Sequence, residues 1–257
     1  MGPEPIVRWC ATDAGLCDTP LGRALAANAE PVTRERLARL RRADDRAAVL
    51  VAHTMARRVA AEWFAVSPST VSIRRRCAGC GGGDHGRPEA VADDGRHCRI
   101  SLSHTRTLAV VAVGGDHRVG IDAESSSIDV AWAREARDVF HPDEVRRIAA
   151  DDTGLLGRTF WTRKEALAKL HGVGLTSSPA RIRVGDVPPH GGVVSGAAPG
   201  WVRDLGGALG LDTHAVALAC DEPPETIDLA RLQPQQLTRD RADQDSISNS
   251  TRSRSSP

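Results

Sequence analysis

Apolar residues recur at helical spacing in three parts of the chain. In residues 33–64 they mark one face of a long helix, which we expect to be interrupted near Ala43. A second helix is predicted over residues 131–150. A third runs over residues 155–170, and Gly172 suits its end because glycine adopts the left-handed conformation that often closes a helix.

Short apolar runs between and after these helices predict strands. They lie at residues 66–73, 99–102, 108–113, 119–124, 181–184, 193–194, 201–205 and 214–219. A Gly-Gly-Asp turn separates the runs at 108–113 and 119–124, so these two are predicted to form a hairpin. Residues 77–97 are rich in Gly, Asp and Cys, which predicts a loop. Because helix is followed by strands twice, the pattern leaves room for two related α+β halves.

We therefore divide the chain into an N-terminal half at residues 1–114, a C-terminal half at 115–230 and a tail at 231–257. The tail is polar and low in apolar groups, which predicts disorder. The apolar run at 108–113 is far too short to cross a bilayer. With no export signal visible and six cysteines in no regular framework, we expect reduced thiols and a cytoplasmic protein.

Charge bears on the partners of the protein. The 34 basic and 33 acidic residues give a net charge of +1, so composition indicates neither a nucleic acid nor a membrane partner. Any affinity for phosphate must come from a local cluster. Lys164 and Lys169 are the only lysines among the basic residues, and they flank Glu165. A lysine ammonium is a compact charge suited to one phosphate oxygen. The alternative is an ordinary ion pair on a solvated helix face.

Asp122 and Glu124 lie two residues apart at the end of a predicted strand, so their carboxylates share one face. Mg²⁺ takes one or two protein carboxylates and completes its octahedron with water and substrate phosphate. Glu165 could supply a third carboxylate from the helix, and Lys169 follows one turn later. A solvated strand end is the alternative for Asp122 and Glu124.

Two further segments carry polar groups suited to phosphate. Ser103 and His104 directly follow a predicted strand, where a hydroxyl and an imidazole can donate hydrogen bonds. Arg87 stands between Gly86 and Pro88, and its guanidinium is a candidate fork for a terminal phosphate. A surface turn is the alternative for Arg87.

Cys77, Cys80 and His85 have the spacing of the first three ligands of a zinc knuckle. The fourth ligand at that spacing would be Ala90, which cannot bind metal. His97 or Cys98 could replace it only through a longer loop. Free loop thiols are therefore the alternative to a zinc site.

Three segments in order resemble the motifs of one family. They are Ile100-Ser101-Leu102-Ser103-His104-Thr105, Gly120-Ile121-Asp122-Ala123-Glu124 and Trp161-x2-Lys164-Glu165-Ala166-x2-Lys169. Together they look like the three motifs of the 4′-phosphopantetheinyl transferases. The preceding Gly86-Arg87-Pro88 and the chain length resemble the monomeric, two-lobed surfactin-type branch. The resemblance implies an α+β pseudo-dimer of two similar halves, with the active site in the cleft between them.

The resemblance also implies roles for residues. Asp122, Glu124 and Glu165 would hold Mg²⁺ against the pyrophosphate of coenzyme A, and Glu165 would help to deprotonate the acceptor serine, directly or through water. Lys169 would pair with the pyrophosphate, and Lys164 would be a cation at the helix surface or beside phosphate. The remaining implied phosphate contacts are Ser103, His104, Arg87 (where the family usually has lysine) and, for the 3′-phosphate, Arg36.

The implied activity is Mg²⁺-dependent transfer of 4′-phosphopantetheine from coenzyme A to a serine of an apo carrier protein, with release of 3′,5′-ADP. The carriers would be acyl, peptidyl or aryl carrier proteins of fatty-acid, polyketide or nonribosomal peptide synthesis. Two alternatives are a zinc-knuckle module that binds nucleic acid and a catalytically idle partner protein with the transferase fold. The near-zero net charge disfavours the first, and the intact acidic residues and Lys169 disfavour the second.

Overall fold

The computed structural model describes residues 4–76, 86–115, 117–126, 138–172 and 179–238. Its strands are β1 (Ile6–Ala11), β2 (Val71–Arg76), β3 (Arg87–Ala92), β4 (His97–His104), β5 (Leu108–Gly115), β6 (Val119–Ser125), β7 (Gly192–Val194), β8 (Gly200–Asp204), β9 (His214–Cys220) and β10 (Asp228–Arg231). Its α-helices are α1 (Pro20–Ala27), α2 (Pro31–Arg39), α3 (Ala43–Phe64), α4 (Pro142–Ala149) and α5 (Leu155–His171). The protein is thus of mixed α+β class.

The strands form two sheets. The first has the order β10-β1-β5-β4-β3-β2 and the second has the order β6-β9-β8-β7. The chain changes sheet between β5 and β6, where the predicted halves meet. It returns to the first sheet at β10, which pairs in parallel with β1. None of the described helices is long and apolar enough to cross a membrane.

Three apolar clusters hold these elements together. In one, α3 packs across the first sheet through a face that includes Leu50, Met55 and Val59. In another, Phe160 and Leu167 of α5 pack on the second sheet. In the third, residues of β1 and β5 meet residues of β6 and β9, so apolar side chains fill the space between the two sheets. Burial of these surfaces is the main favourable contribution to folding.

Two of the three predicted helical regions are confirmed closely, whereas residues 131–137 of the predicted helix 131–150 lie outside the described residues and α1 was not predicted. The long helical region is interrupted at residues 40–42, and α3 begins at Ala43, where the sequence predicts the break. Helix α5 ends at Gly172, which has φ of +69° and closes the helix through its backbone N–H, as predicted. α4 begins at Pro142 with a capping box between His141 and Glu144.

Several strand predictions are wrong. The predicted β5–β6 hairpin does not form, because β5 pairs with β1 and β4 while β6 pairs with β9. Residues 87–92 of the predicted loop form β3, which lies between β2 and β4. The predicted strand at 181–184 is instead the end of a 3-10 turn, Pro179–Arg181, followed by irregular chain.

The predicted tail also needs correction at its start. Residues 231–238 are ordered: Arg231 ends β10, and a 3-10 turn spans Pro234–Thr238. Leu232 and Leu237 are buried in the cluster beneath α3, so apolar contact holds this segment. Residues 239–257 lie outside the described residues. So do Cys77, Cys80 and His85, and the zinc prediction stays a prediction.

Candidate active site

Close packing of α5 against β6 brings the predicted residues together. Gly120 of β6 permits this approach, because a Cβ built there would stand only 2.0 Å from the carbonyl oxygen of Ala166 and 2.5 Å from the backbone nitrogen of Leu170. Any larger residue would push the helix away. Along β6, Asp122 and Glu124 follow at two-residue steps and therefore share the face of Gly120.

Asp122 is the centre of the site. It is 4% exposed, and its Oδ1 accepts hydrogen bonds from the Ser103 hydroxyl at 2.8 Å and from the Lys169 ammonium at 2.6 Å. Its Oδ2 is buried and has no hydrogen-bond partner in the described parts of the chain. The structure thus unites one residue from each of the three sequence motifs around a single carboxylate.

The same contacts join the two sheets. The Lys169 ammonium also donates to the Ile121 carbonyl at 3.0 Å, and the Leu102 carbonyl lies 3.5 Å from it. The Ser101 hydroxyl accepts from the Ile121 backbone N–H at 2.9 Å. Because β4 belongs to the first sheet and β6 to the second, the site stands where the two meet.

Glu124 is positioned by an aromatic residue. The indole Nε1–H of Trp161 on α5 donates to Glu124 Oε1 at 2.9 Å. Burial first, and then the charge of Asp122, raise the pKa of Glu124 to about 7, although the indole bond and Lys169 act in the opposite direction. A carboxyl group in this setting exchanges a proton near neutral pH.

Glu165 lies on α5, one turn before Lys169. Burial and the neighbouring Asp122 raise the pKa of the Glu165 carboxyl, and Lys169 partly opposes the rise. Asp122, Glu124 and Glu165 therefore lie within electrostatic reach of one another. Perturbed acids that share a partner are typical of functional sites.

The acidic residues suit a magnesium ion, although they do not by themselves form a complete set of metal ligands. Among the described residues, no three His, Cys, Asp or Glu side chains form a ready-made metal site. The charge of Asp122 nevertheless contributes to the raised pKa of both Glu124 and Glu165, and Asp122 Oδ2 is an oxygen ligand with no hydrogen-bond partner among the described residues. Mg²⁺ needs only one or two protein carboxylates beside water and phosphate, so the residues present suit this ion.

Basic residues line a pocket beside the site. Its volume is about 720 Å³, and its walls include Arg36 of α2, Arg75 of β2 and Leu102 of β4. Burial, and then the charges of Arg36 and Lys169, lower the pKa of the His104 imidazole, while Asp45 and Asp122 act in the opposite direction, so His104 is within electrostatic reach of both Arg36 and Asp122. Arg36 and His104 were both predicted as phosphate contacts.

The side chains of this pocket that sequence reasoning missed include an imidazole and an arginine. His53 of α3 and Arg75 both line it. The signal for His53 was a polar residue within the apolar stretch Leu50–Met55 of a buried helix. Arg75 had no usable signal, since an arginine near a strand end is commonly a surface residue.

Arg87 lies at the C-terminal end of α5. Its Nη2 donates to the Leu170 carbonyl at 2.6 Å, and its Nε is buried with no hydrogen-bond partner in the ranges that the structure describes. Burial, followed by the nearby Arg99 and Arg118, lowers the pKa of Arg87. Its predicted contact with phosphate stays a prediction.

The prediction that Lys164 is a surface or phosphate-side cation is wrong. Its side chain is 0% exposed, and its ammonium pairs with Glu144 and donates to the carbonyls of Pro179 and Ile182. Burial lowers the pKa of Lys164, and Glu144 opposes this shift. The physical reason is helical spacing, because Lys164 shares the buried stripe of α5 with Phe160 and Leu167.

Comparison with known proteins agrees with this geometry. Residues 118–216 match the family model of the 4′-phosphopantetheinyl transferase superfamily. The matched segment contains Asp122, Glu124, Glu165 and Lys169, and the mixed α+β structure with two sheets is consistent with that family. The similarity suggests a transferase of phosphopantetheine groups. No curated protein gives a significant match to the chain.

Proposed function

We propose that this protein transfers 4′-phosphopantetheine from coenzyme A to a serine of an apo carrier protein. The observation that carries the proposal is the convergence of Ser103, Asp122 and Lys169 at the junction of the two sheets. The proposal includes the surfactin-type architecture, in which one monomeric chain supplies both halves of a pseudo-dimer. Coenzyme A would lie in the cleft between the halves.

The reaction is a substitution at phosphorus. The serine oxygen of the carrier attacks the β-phosphorus of coenzyme A, and the bond from that phosphorus to the oxygen bridging the α-phosphate breaks. The electron pair leaves with 3′,5′-ADP. Glu165 would take the proton of the serine hydroxyl, directly or through water.

Asp122, Glu124 and Glu165 would hold Mg²⁺, which when bound neutralises the charge on the pyrophosphate oxygens. Lys169 would contribute its ammonium to the pyrophosphate and to the departing 3′,5′-ADP. Ser103 and His104 would donate hydrogen bonds to phosphate oxygens. The pocket that Arg36 lines would take the nucleotide end of coenzyme A, because its arginines are suited to a phosphate.

The test is the intact mass of an apo carrier protein after incubation with this protein, coenzyme A and Mg²⁺, with an EDTA control. We expect a gain of one phosphopantetheine group that EDTA abolishes. No gain with acyl, peptidyl and aryl carriers alike would overturn the proposal. A gain that persists in EDTA would retain the transfer and reject the metal.

A further inference from the structure

A half-buried histidine stands in the wall of the basic pocket beside the proposed active site. The pocket is lined by Arg36 and Arg39 of α2, Arg74 and Arg75 of β2, and His53 of α3, and Glu30 and Glu35 also border it. Arginine side chains present several donors in a fixed plane and suit phosphate oxygens. The pocket is therefore built for an anionic ligand, and His53 is its one imidazole among the described lining residues.

One nitrogen of His53 is paired and the other is not. Nδ1 lies 3.1 Å from the hydroxyl oxygen of Thr33, a residue that is only 2% exposed. Nε2 is buried and has no hydrogen-bond partner among the residues that the structure describes. A buried polar atom left unpaired destabilises the fold by roughly 1–3 kcal/mol. In the wall of a pocket, a ligand or water can complete that bond.

The Thr33 contact indicates which nitrogen carries the proton. In the part of the chain that the structure describes, His53 is the hydrogen-bond partner of the Thr33 side chain. If the hydroxyl donates to Nδ1, its proton is satisfied and Nε2 bears the imidazole proton. The opposite arrangement would leave a buried hydroxyl proton without an acceptor. The first arrangement is favoured, so Nε2–H is a donor.

The imidazole is also neutral at physiological pH. Burial and the charges of Arg36, Arg75 and His104 lower the pKa of His53 to about 4. His53 therefore adds a hydrogen-bond donor to the pocket without adding a fifth positive charge to the four arginines. Such a donor favours a ligand that places a hydrogen-bond acceptor opposite Nε2, whereas the arginines attract any anion.

We propose that His53 is a specificity-determining residue for the nucleotide. Its Nε2–H donates a hydrogen bond to the nucleotide phosphate that lies farther from the reacting centre. The reacting pyrophosphate would lie at Asp122 and Lys169, so the pocket of Arg36 and His53 takes the other phosphate, the 3′-phosphate of the nucleotide. Thr33 holds the imidazole in the donating tautomer. This inference rests on the proposed function, whose nucleotide it uses.

The test compares two nucleotides that differ in one phosphate. Isothermal titration calorimetry would measure the affinities of 3′,5′-ADP and of adenosine 5′-phosphate for the wild type and for His53→Ala. We expect His53→Ala to weaken 3′,5′-ADP binding about 10-fold or more, the scale of a hydrogen bond to a charged group, and to leave adenosine 5′-phosphate unchanged. Thermal unfolding of each variant would confirm that the fold persists.

Two matched variants sharpen the result. His53→Gln retains an amide donor that reaches about as far as Nε2, so we expect it to retain part of the preference for 3′,5′-ADP. Thr33→Val keeps the imidazole but removes the hydroxyl that fixes its tautomer, so an intermediate loss is expected. If His53→Ala weakens both nucleotides equally, or neither, the proposal is overturned.

The carrier-modification assay separates this inference from the proposed function. Full transfer by the wild type together with an unchanged nucleotide preference in His53→Ala would reject the role of His53 alone. Absence of transfer, with neither nucleotide bound by the wild type, would reject both. Nucleotide discrimination by His53 without transfer would retain a nucleotide pocket and reject the reaction.

Discussion

The ammonium nitrogen of Lys164 lies 2.8 Å from Oε2 of Glu144, and both side chains are almost completely sealed from solvent, at 0% and 1% exposed. Glu144 also accepts the backbone N–H groups of Val184 and Gly185 through Oε1. The pair therefore fixes α4 and the chain around residue 184 to α5. Since Glu165 follows Lys164 directly, the pair also fixes the rotation of the helix that carries the site.

We expect Lys164→Met to lower the free energy of unfolding by about 3–5 kcal/mol, because it leaves the Glu144 charge buried and unpaired. Urea denaturation would measure the loss. The double variant Lys164→Met with Glu144→Gln removes both charges and keeps an acceptor for Val184 and Gly185. It should recover much of the stability and most of the transfer activity. A stable double variant without transfer would instead place Lys164 in the chemistry.

The position of Lys164 shows what the sequence could predict. Its spacing of four residues from Phe160 and three from Leu167 placed it on the buried stripe of a helix whose bounds were predicted nearly correctly. The rarity of lysine in this chain favoured a contact with phosphate instead. The partner, Glu144, lies 20 residues away on another helix, and no local pattern indicates that the two meet.

The errors among the strands have the same origin. Every residue of β5 is buried, and β5 pairs with β1, which begins at Ile6 and lies about 100 residues earlier in the chain. A short turn before β6 favours a hairpin locally, but apolar packing between the two sheets decides the outcome. By contrast, Asp122 and Glu124 were predictable, because their shared face follows from strand periodicity and Lys169 follows Glu165 by one helical turn.

Asp122 and Lys169 should be essential for transfer, and we expect the fold to persist without either of them, although with reduced stability because the remaining charge loses its partner. We expect Asp122→Asn and Lys169→Met each to reduce the transfer rate on the order of 10²–10³-fold, the scale of removing a preorganised charge near a transition state. Carrier modification followed by mass spectrometry would measure the rates, and circular dichroism the fold. Ser103→Ala is the comparison variant for a lost hydrogen bond, because it removes the bond to Asp122 Oδ1 and keeps both charges, so we expect it to reduce the rate less than either charge substitution. Unfolding of Asp122→Asn would mark the carboxylate as structural instead.

We expect Trp161 to affect Mg²⁺ binding indirectly, by positioning Glu124. Trp161→Phe preserves an aromatic ring and removes the indole N–H that donates to Glu124 Oε1 at 2.9 Å. Groups that orient metal-binding residues typically change metal affinity 10–100-fold. We therefore expect the Mg²⁺ concentration for half-maximal transfer to rise about 10-fold, and calorimetric titration of Mg²⁺ into the protein to show the same loss. Impaired transfer at an unchanged Mg²⁺ requirement would contradict this role.

We expect the free energy of unfolding to depend on pH through the carboxyl groups of Glu124 and Glu165, whose pKa values are raised beside Asp122. The pKa of Glu124 is raised to about 7 from its ordinary 4.5, so folding favours its protonated form. Its contribution to stability is therefore complete below about pH 4.5 and is lost as pH rises through about 7. The pKa of Glu165 is also raised, so its contribution to stability changes with pH in the same direction. His53 has the opposite sign, because its pKa falls to about 4 and its contribution is lost as pH decreases.

Comparison of the wild type with Glu124→Gln isolates the carboxylate from His53. Without divalent cations, we expect the variant to gain melting temperature relative to the wild type as pH rises from 5 to 8, because only the wild type must bury a new negative charge beside Asp122. Adding Mg²⁺ should stabilise the wild type more at pH 8 than at pH 5, since a metal ion binds the deprotonated carboxylates. A melting-temperature difference that is independent of pH would show that Glu124 is not coupled to Asp122 in the folded protein.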